Sequence, residues 1–313
     1  AGAARYALAA AAALLRRGDQ VLLWGSSVRP GALHSQTSVL TESGYEEVET
    51  LVETRDVVVV SARVGAHSAT PPSRSGFRQE LSIQLPLGAD DGRQERPWCV
   101  YPGLFAGGGL DMMTDVLLRA LPGPPPPGTR VLDFACGAGV IAAAVMEHAP
   151  GIEVTLLDAD AVAIEACREN LPNAKRFLVS DCWRGLEHRN LRFDLILSNP
   201  PVHRGHVDDF GVLLELVRGA GPRLRTGGTL WIVTQEHVPL GPLLEGFSNV
   251  SCPFDNGRFV VWTAADWKGK SDGPLCLHIC GQPDADHAQT PCNERAERSR
   301  KRTRERALEE EER

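Results

Sequence analysis

The 313-residue chain has no apolar run approaching the roughly 18–20 residues that a membrane-crossing helix needs, which excludes a helical span. It has no surplus of positive charge either: 33 lysines and arginines stand against 40 aspartates and glutamates, a formal charge of −7. No protein-wide basic field attracts nucleic acid, so such a partner would have to be held by a local patch. A disulfide framework is also missing. The eight cysteines, at 99, 136, 167, 182, 252, 276, 280 and 292, are scattered along the chain, several inside apolar runs. Small buried thiols in a reducing compartment are the expected reading.

What is present is the composition of a globular protein, 42% hydrophobic and 23% charged, at a length suited to two domains. The chain opens at Ala1 rather than Met and reads as a fragment or a processed form. Ala7 to Leu15 is apolar, flanked by Arg5 and by Arg16-Arg17 without a small-residue cleavage pattern, so it is expected to be a helix rather than a leader. A cytoplasmic monomer is expected. An organellar location stays open, because any targeting segment upstream is not visible.

Residues 1–97 read as a smaller, incomplete α/β domain. Val21 to Trp24 and Val57 to Val60 are short β-branched or apolar strands, and Ser68 to Arg78 is a polar, proline-containing loop. The loop after the first strand has no Gly-x-Gly pattern, which makes this domain a scaffold or binding module rather than a nucleotide site. Pro122 to Gly128 stops a helix spanning Asp111 to Leu121 and is read as a stiff connector rather than a ligand for a proline-binding domain.

Over 98–266 the pattern alternates. Strands are expected at 130–134, 153–157, 176–179, 193–198, 229–234 and 258–263, and helices at 140–148, 161–170, 212–224 and 240–247. Such alternation predicts a mainly parallel sheet with both faces covered, binding its ligand beyond the carboxyl ends of the strands. Residues 267–313 change character and end in a run of mixed charge, a solvated helix or disordered tail. Cys276, Cys280, His287 and Cys292 match no common zinc spacing, so no metal is expected.

The chemistry-bearing residues follow the strands. Asp133-Phe134-Ala135-Cys136-Gly137-Ala138-Gly139 places glycines between a strand and a helix, where the backbone can approach a ligand closely. Asp158 lies at the end of the next strand, where an acid would hold a ribose. These two features alone fit any adenosine-containing cofactor, a dinucleotide included. Asp133 tilts the reading toward a cationic cofactor, S-adenosyl-L-methionine, because an anion there would oppose a pyrophosphate. Asp181 after the third strand, beside Cys182, can accept from an adenine amino group.

The turn after the fourth strand is Asn199-Pro200-Pro201-Val202-His203. Two prolines remove two backbone donors and freeze the turn. The Asn199 amide oxygen and the Pro200 carbonyl are thereby expected to face the cofactor as acceptors for an amino or amide nitrogen. Catalysis of that kind rests on positioning and electrostatics. His203 and His206 are read as substrate contacts, Arg204 as either a phosphate contact or a plain surface charge, and Cys136 and Cys182 as thiols without an activating base.

These motifs resemble the class I S-adenosylmethionine-dependent methyltransferases. More narrowly, they resemble those that methylate guanine N2 in small-subunit ribosomal RNA. Pro102-Gly103-Leu104-Phe105, Gly109-Leu110-Asp111 and Gly257-Arg258-Phe259 extend the resemblance over about 98–264. It implies a Rossmann-like catalytic domain preceded by a degenerate domain of similar fold, with ribosomal RNA or the small subunit as partner. By the same resemblance Phe105 and Asp111 would close over the methionine end of the cofactor. Asp133, Ala135, Cys136, Gly137 and Gly139 would line its pocket, Asp158 would hold the ribose, and Asp181 would meet the adenine. Asn199, Pro200, Pro201, Val202 and His203 would face the guanine. Two positions depart from the family pattern: Ala135 replaces a glycine, and Val202 replaces an aromatic that stacks on the flipped base. The rival readings are a protein glutamine methyltransferase, a non-catalytic ribosome-assembly factor and a nicotinamide-dependent oxidoreductase.

Overall fold

The computed structural model describes residues 19–26, 40–42, 44–54, 57–65, 77–88, 95–187, 189–204 and 207–269. The helix expected over 7–15, the cysteines at 276, 280 and 292, and the charged run after residue 294 lie outside them. Among the described residues no helix is long and apolar enough to cross a membrane.

Three strands come first, β1 (Gln20–Ser26), β2 (Tyr45–Glu53) and β3 (Val57–Val64), in one antiparallel sheet with β3 central. Leu23 pairs with Val60, so the two expected apolar runs lie side by side, and each strand is longer than its run. β2 escapes a reading from sequence because four glutamates interrupt it and nearly all of it is exposed. Leu40, Tyr45, Val60, Ala62 and Val64 form a small core of their own.

A hairpin follows, β4 (Gln79–Ile83) with β5 (Arg96–Val100). Ile83, Trp98 and Val100 are buried in the large core together with Leu117, Leu118 and Ala142. The domain boundary expected between residues 97 and 98 therefore falls inside β5. A short 3₁₀ turn, Phe105–Gly108, leads into α1 (Met112–Ala120).

The alternation expected from the sequence then appears in order: β6 (Arg130–Phe134), α2 (Val140–His148), β7 (Glu153–Asp158), α3 (Ala161–Asn170), β8 (Arg176–Val179) and β9 (Phe193–Ser198). Two-residue strands β10 (His203–Arg204) and β11 (Val207–Asp208) pair after the proline turn. Next come α4 (Gly211–Arg223), β12 (Leu224–Gln235), the single turn α5 (Leu240–Leu243), β13 (Phe247–Asp255) and β14 (Phe259–Trp267). The seven-stranded sheet has the order β13-β14-β12-β9-β6-β7-β8. Strands β12, β9, β6, β7 and β8 run parallel; at one edge β14 runs against them, and β13, antiparallel to β14, runs with them again. The direction of strand order reverses between β6 and β9, the switch point at which such sheets bind ligands.

The main departure lies at 240–255. A helix was expected to run to Phe247, but only Leu240–Leu243 is helical and Phe247 instead starts β13. Phe247 is buried edge-on against Trp267, ring centres 5.0 Å apart, which anchors the strand. Pro253 sits where the β13–β14 register shifts, as a proline on an edge strand can. Gly221 and Gly246 form the notch for Trp267: a Cβ at either would lie 2.1 or 2.2 Å from its ring.

Candidate active site

A cavity of about 360 Å³ opens beyond the carboxyl ends of β6, β7, β8 and β9. Residues 104–114 wall its remaining side. Ser198, the last residue of β9, is fully buried and its Oγ donates to the Phe134 carbonyl at 2.7 Å, which ties together the two strands flanking the switch point.

The glycine turn is set by its neighbours. Gly137 has φ 53°, and a Cβ there would meet nothing within 4 Å, so its bare face opens on the cavity. Its N–H donates to Asp158 Oδ2 at 2.8 Å, while Asp160 N–H donates to Asp158 Oδ1 at 2.9 Å. Each carboxylate oxygen thus keeps lone-pair capacity toward the cavity it lines. Burial pushes the Asp158 pKa up, a tendency that these backbone donors oppose. Ala135 and Cys182 also line the cavity, both in left-handed backbone at φ 56° and 47°. Such strain at side chains other than glycine concentrates at functional sites.

Two expected residues lie elsewhere. Asp133 is fully buried beneath the lining: its Oδ2 accepts from Ala142 N–H at 2.9 Å and pins the first turn of α2. Burial lifts its pKa to about 8, so it is no exposed anion beside a cation. Gly139 caps α2 at φ 89°, and a Cβ there would lie 3.0 Å from Leu171 and 3.1 Å from Cys167 Sγ. It permits close helix–sheet packing rather than ligand contact. His203 begins β10 opposite Asp208, and its side chain lies outside what the structure describes.

The remaining expected residues share the cavity. Phe105 lies on its wall with 64% of its surface exposed. Cys136 is buried, with Sγ 3.8 Å from Cys167 Sγ, and burial raises its pKa. Cys182 rises to about 11, chiefly by burial. Neither is an activated thiolate. Asp181 is at the mouth and forms an exposed ion pair with Arg184 at 2.9 Å. Pro200, Pro201 and the buried Val202 complete the wall, which is mostly apolar.

Asn199 and Asp111 meet directly, although 88 positions separate them. Asp111 caps α1: its Oδ1 accepts from Met113 N–H at 2.7 Å, and its Oδ2 accepts from Thr114 Oγ1 at 2.6 Å. Asn199 Nδ2 donates to Asp111 Oδ2 at 2.8 Å and to Thr114 Oγ1 at 3.0 Å. Thr114 is not among the residues read off the sequence; the cap of α1 brings it against Asn199. Asn170, likewise unanticipated, bonds Cys99 N–H and C=O at 2.7 and 2.9 Å and reaches the Ala138 carbonyl of the glycine turn at 3.3 Å.

Comparison with known families fits this geometry. The methyltransferase small domain family matches residues 96–263, more than half of the chain. The chain belongs to that family. The small methyltransferase domain thus takes in β5, whose place in the large core the fold explains. Ribosomal RNA small subunit methyltransferase C of Klebsiella pneumoniae is 39% identical over 166 residues, 51% of this chain and 47% of that protein. The protein of the same name from Erwinia tasmaniensis is 31% identical over 265 residues, 83% of this chain and 71% of that protein. Among solved structures, the Thermus thermophilus 16S rRNA N2 methyltransferase, in complex with AdoMet and guanosine, is similar with a TM-score of 0.68 and 25% identity. That likeness covers 84% of this chain and 68% of that one. The chain spans about half the length of the first of the curated relatives it matches.

Proposed function

We propose that this small methyltransferase domain is an S-adenosylmethionine-dependent enzyme that methylates the exocyclic N2 amino group of guanine in small-subunit ribosomal RNA. One observation supports the reading above the others: the rigid Asn199-Pro200-Pro201 turn lines the same cavity as the glycine turn and Asp158. Cofactor-type and acceptor-type residues, contributed by three different strands, share one apolar space.

The residues present fit that cofactor. The open face of Gly137 admits a ligand that a side chain would exclude. Asp158 would hold the ribose hydroxyls with the lone pairs its backbone donors leave free, and Asp181 at the mouth would meet the adenine. Asp133, being buried, would act only by fixing α2 under the turn. When bound, S-adenosylmethionine supplies an electrophilic methyl group on a sulfonium. Asn199 Oδ1 and the Pro200 carbonyl would accept the two N–H bonds of the guanine amino group and aim its lone pair. Apolar walls keep water from competing for those acceptors. A base must leave its stack to reach them. With Val202 in the wall, Phe105 is the aromatic surface available at the mouth.

In this reading the domain that takes in β5 carries catalysis through residue 266, and the smaller unit with its own core at β1 to β3 helps to hold RNA. The enzyme acts as a cytoplasmic monomer. The test is incubation with methyl-labelled S-adenosylmethionine and deproteinised ribosomal RNA or assembled small subunits. Label is expected in N2-methylguanine. Asn199→Ala should abolish transfer while calorimetric binding of S-adenosylmethionine survives. Label in protein glutamine would transfer the reading to a protein substrate, and cofactor binding without any transfer would leave a non-catalytic assembly factor.

A further inference from the structure

Asn199 carries an amide whose two ends are chemically opposite, and only the oxygen end can receive an N–H bond. The Asn-Pro-Pro turn fixes the backbone of this residue but leaves the amide free to rotate by half a turn. What settles its orientation is α1. Thr114 has a single hydroxyl proton, and it is given to Asp111 Oδ2 at 2.6 Å. Its oxygen can therefore only accept from Asn199, at 3.0 Å. The second contact of the Asn199 nitrogen is the Asp111 carboxylate itself, at 2.8 Å. Reversing the amide would set its carbonyl oxygen against a carboxylate oxygen and a hydroxyl with no proton left to give. Both alternatives are repulsive, so one orientation survives. Asp111 cannot turn away to relieve them, because its other oxygen is held by Met113 N–H at the start of α1. Among the described residues the Asn199 carbonyl oxygen takes no hydrogen bond, and it is not one of the buried orphaned atoms. It is the end left open at the cavity.

We infer that Asp111 and Thr114 are positioning residues that lock the Asn199 amide with its oxygen toward the cavity, and that this lock restricts the methyl acceptor to a nitrogen bearing N–H bonds. The inference rests on the methyl-transfer reading above and deepens it. An acceptor atom without a proton, such as a ring nitrogen or a carbonyl oxygen, would face a lone pair and be turned away. The negative charge of Asp111 also polarises the amide, drawing its N–H bonds and leaving the oxygen a stronger acceptor. Asp111 would do this in addition to its expected place over the methionine end of the cofactor, since it lines the same cavity.

The test compares the wild type with Asp111→Asn, Thr114→Val and Thr114→Ser. Asparagine is as good a helix cap as aspartate, and valine is close to isosteric with threonine, so the fold should hold in both. Asp111→Asn can offer an N–H to Asn199 and so permits the reversed amide. Transfer to RNA should fall in kcat by on the order of tenfold to a hundredfold in Asp111→Asn and Thr114→Val, the scale of losing one hydrogen bond to a charged group. In Thr114→Val the dissociation constant for S-adenosylmethionine should stay within about twofold, and Thr114→Ser should recover most of the rate. Independently of turnover, the Asn199 side-chain amide protons should resonate as one slowly exchanging pair by NMR in the wild type. In Asp111→Asn they should broaden or split. If the wild type transfers methyl groups and both disruptive variants do so equally fast, with the Asn199 protons unchanged, the lock is refuted. If the wild type transfers none, the methyl-transfer reading falls, and the NMR signature alone decides whether the amide is held.

Discussion

Asn170 is the sharpest test of how the glycine turn is held. The residue ends α3 and is buried, and its side chain bonds both the N–H and the C=O of Cys99 as a neighbouring strand would. A third, longer bond reaches the Ala138 carbonyl. Cys99 and Ala138 are themselves buried, so Asn170→Ala would leave these main-chain groups without this partner and with little access to water. A buried polar group left unpaired costs about 1–3 kcal/mol. Counting only the two short bonds to Cys99, the loss should be about 3 kcal/mol. The adjacent Glu169 provides the control. It joins the same hairpin to α3 through Tyr101 and Arg78, but its side chain is 34% exposed, and exposed ion pairs contribute about 0–1 kcal/mol. Glu169→Gln should therefore cost less than 1 kcal/mol. Urea unfolding followed through tryptophan fluorescence, with hydrogen exchange at the Cys99 amide, measures both variants. Were Asn170→Ala to stay within 1 kcal/mol of the wild type with the Cys99 amide still protected, the clasp would carry no weight.

Two further predictions concern the turn itself. Ala135 holds a left-handed conformation that costs about 1–2 kcal/mol for a residue with a Cβ, and glycine returns about 0.5–1 kcal/mol of that as backbone entropy. Ala135→Gly should stabilise the domain by about 0.5–1 kcal/mol in chemical denaturation, and a loss of stability would show that the methyl group packs productively. Asp133 has its pKa lifted by burial to about 8 from an ordinary value of 3.8. The fold therefore favours the neutral carboxyl. The associated stability is fully present below about pH 4 and is lost as pH rises through 8. Asp133→Asn keeps an acceptor for Ala142 N–H and should flatten the fall in unfolding free energy between pH 5 and 8. Identical pH profiles for the two proteins would sink that account.

Much of this protein is written locally. From 130 to 235 each strand and helix except the two-residue β10 and β11 announces itself through short-range pattern, because an apolar run bounded by glycine, proline or a charged turn has few ways to satisfy its backbone. The same locality makes the glycine turn and the Asn-Pro-Pro elbow legible, since each constrains its own backbone. The edge strands are different. β2 is too acidic to read, and β13 depends on Trp267, twenty positions after Phe247, to hold it against β14. Partners set by pairing across the chain leave no local trace.

The site divides in the same way. Sequence determined that a glycine turn, an acid after the second strand and a proline-locked asparagine would lie at the carboxyl ends of successive strands, because strand direction alone dictates that placement. Only the tertiary structure decided that Asp133 lies under the floor, that Gly139 packs against Leu171 and Cys167, and that Asn170 clasps the hairpin. It alone also decided which end of the Asn199 amide faces the cavity. Those outcomes depend on burial and on hydrogen bonds to partners some 9 to 88 residues away, and neither is fixed until the sheet has closed.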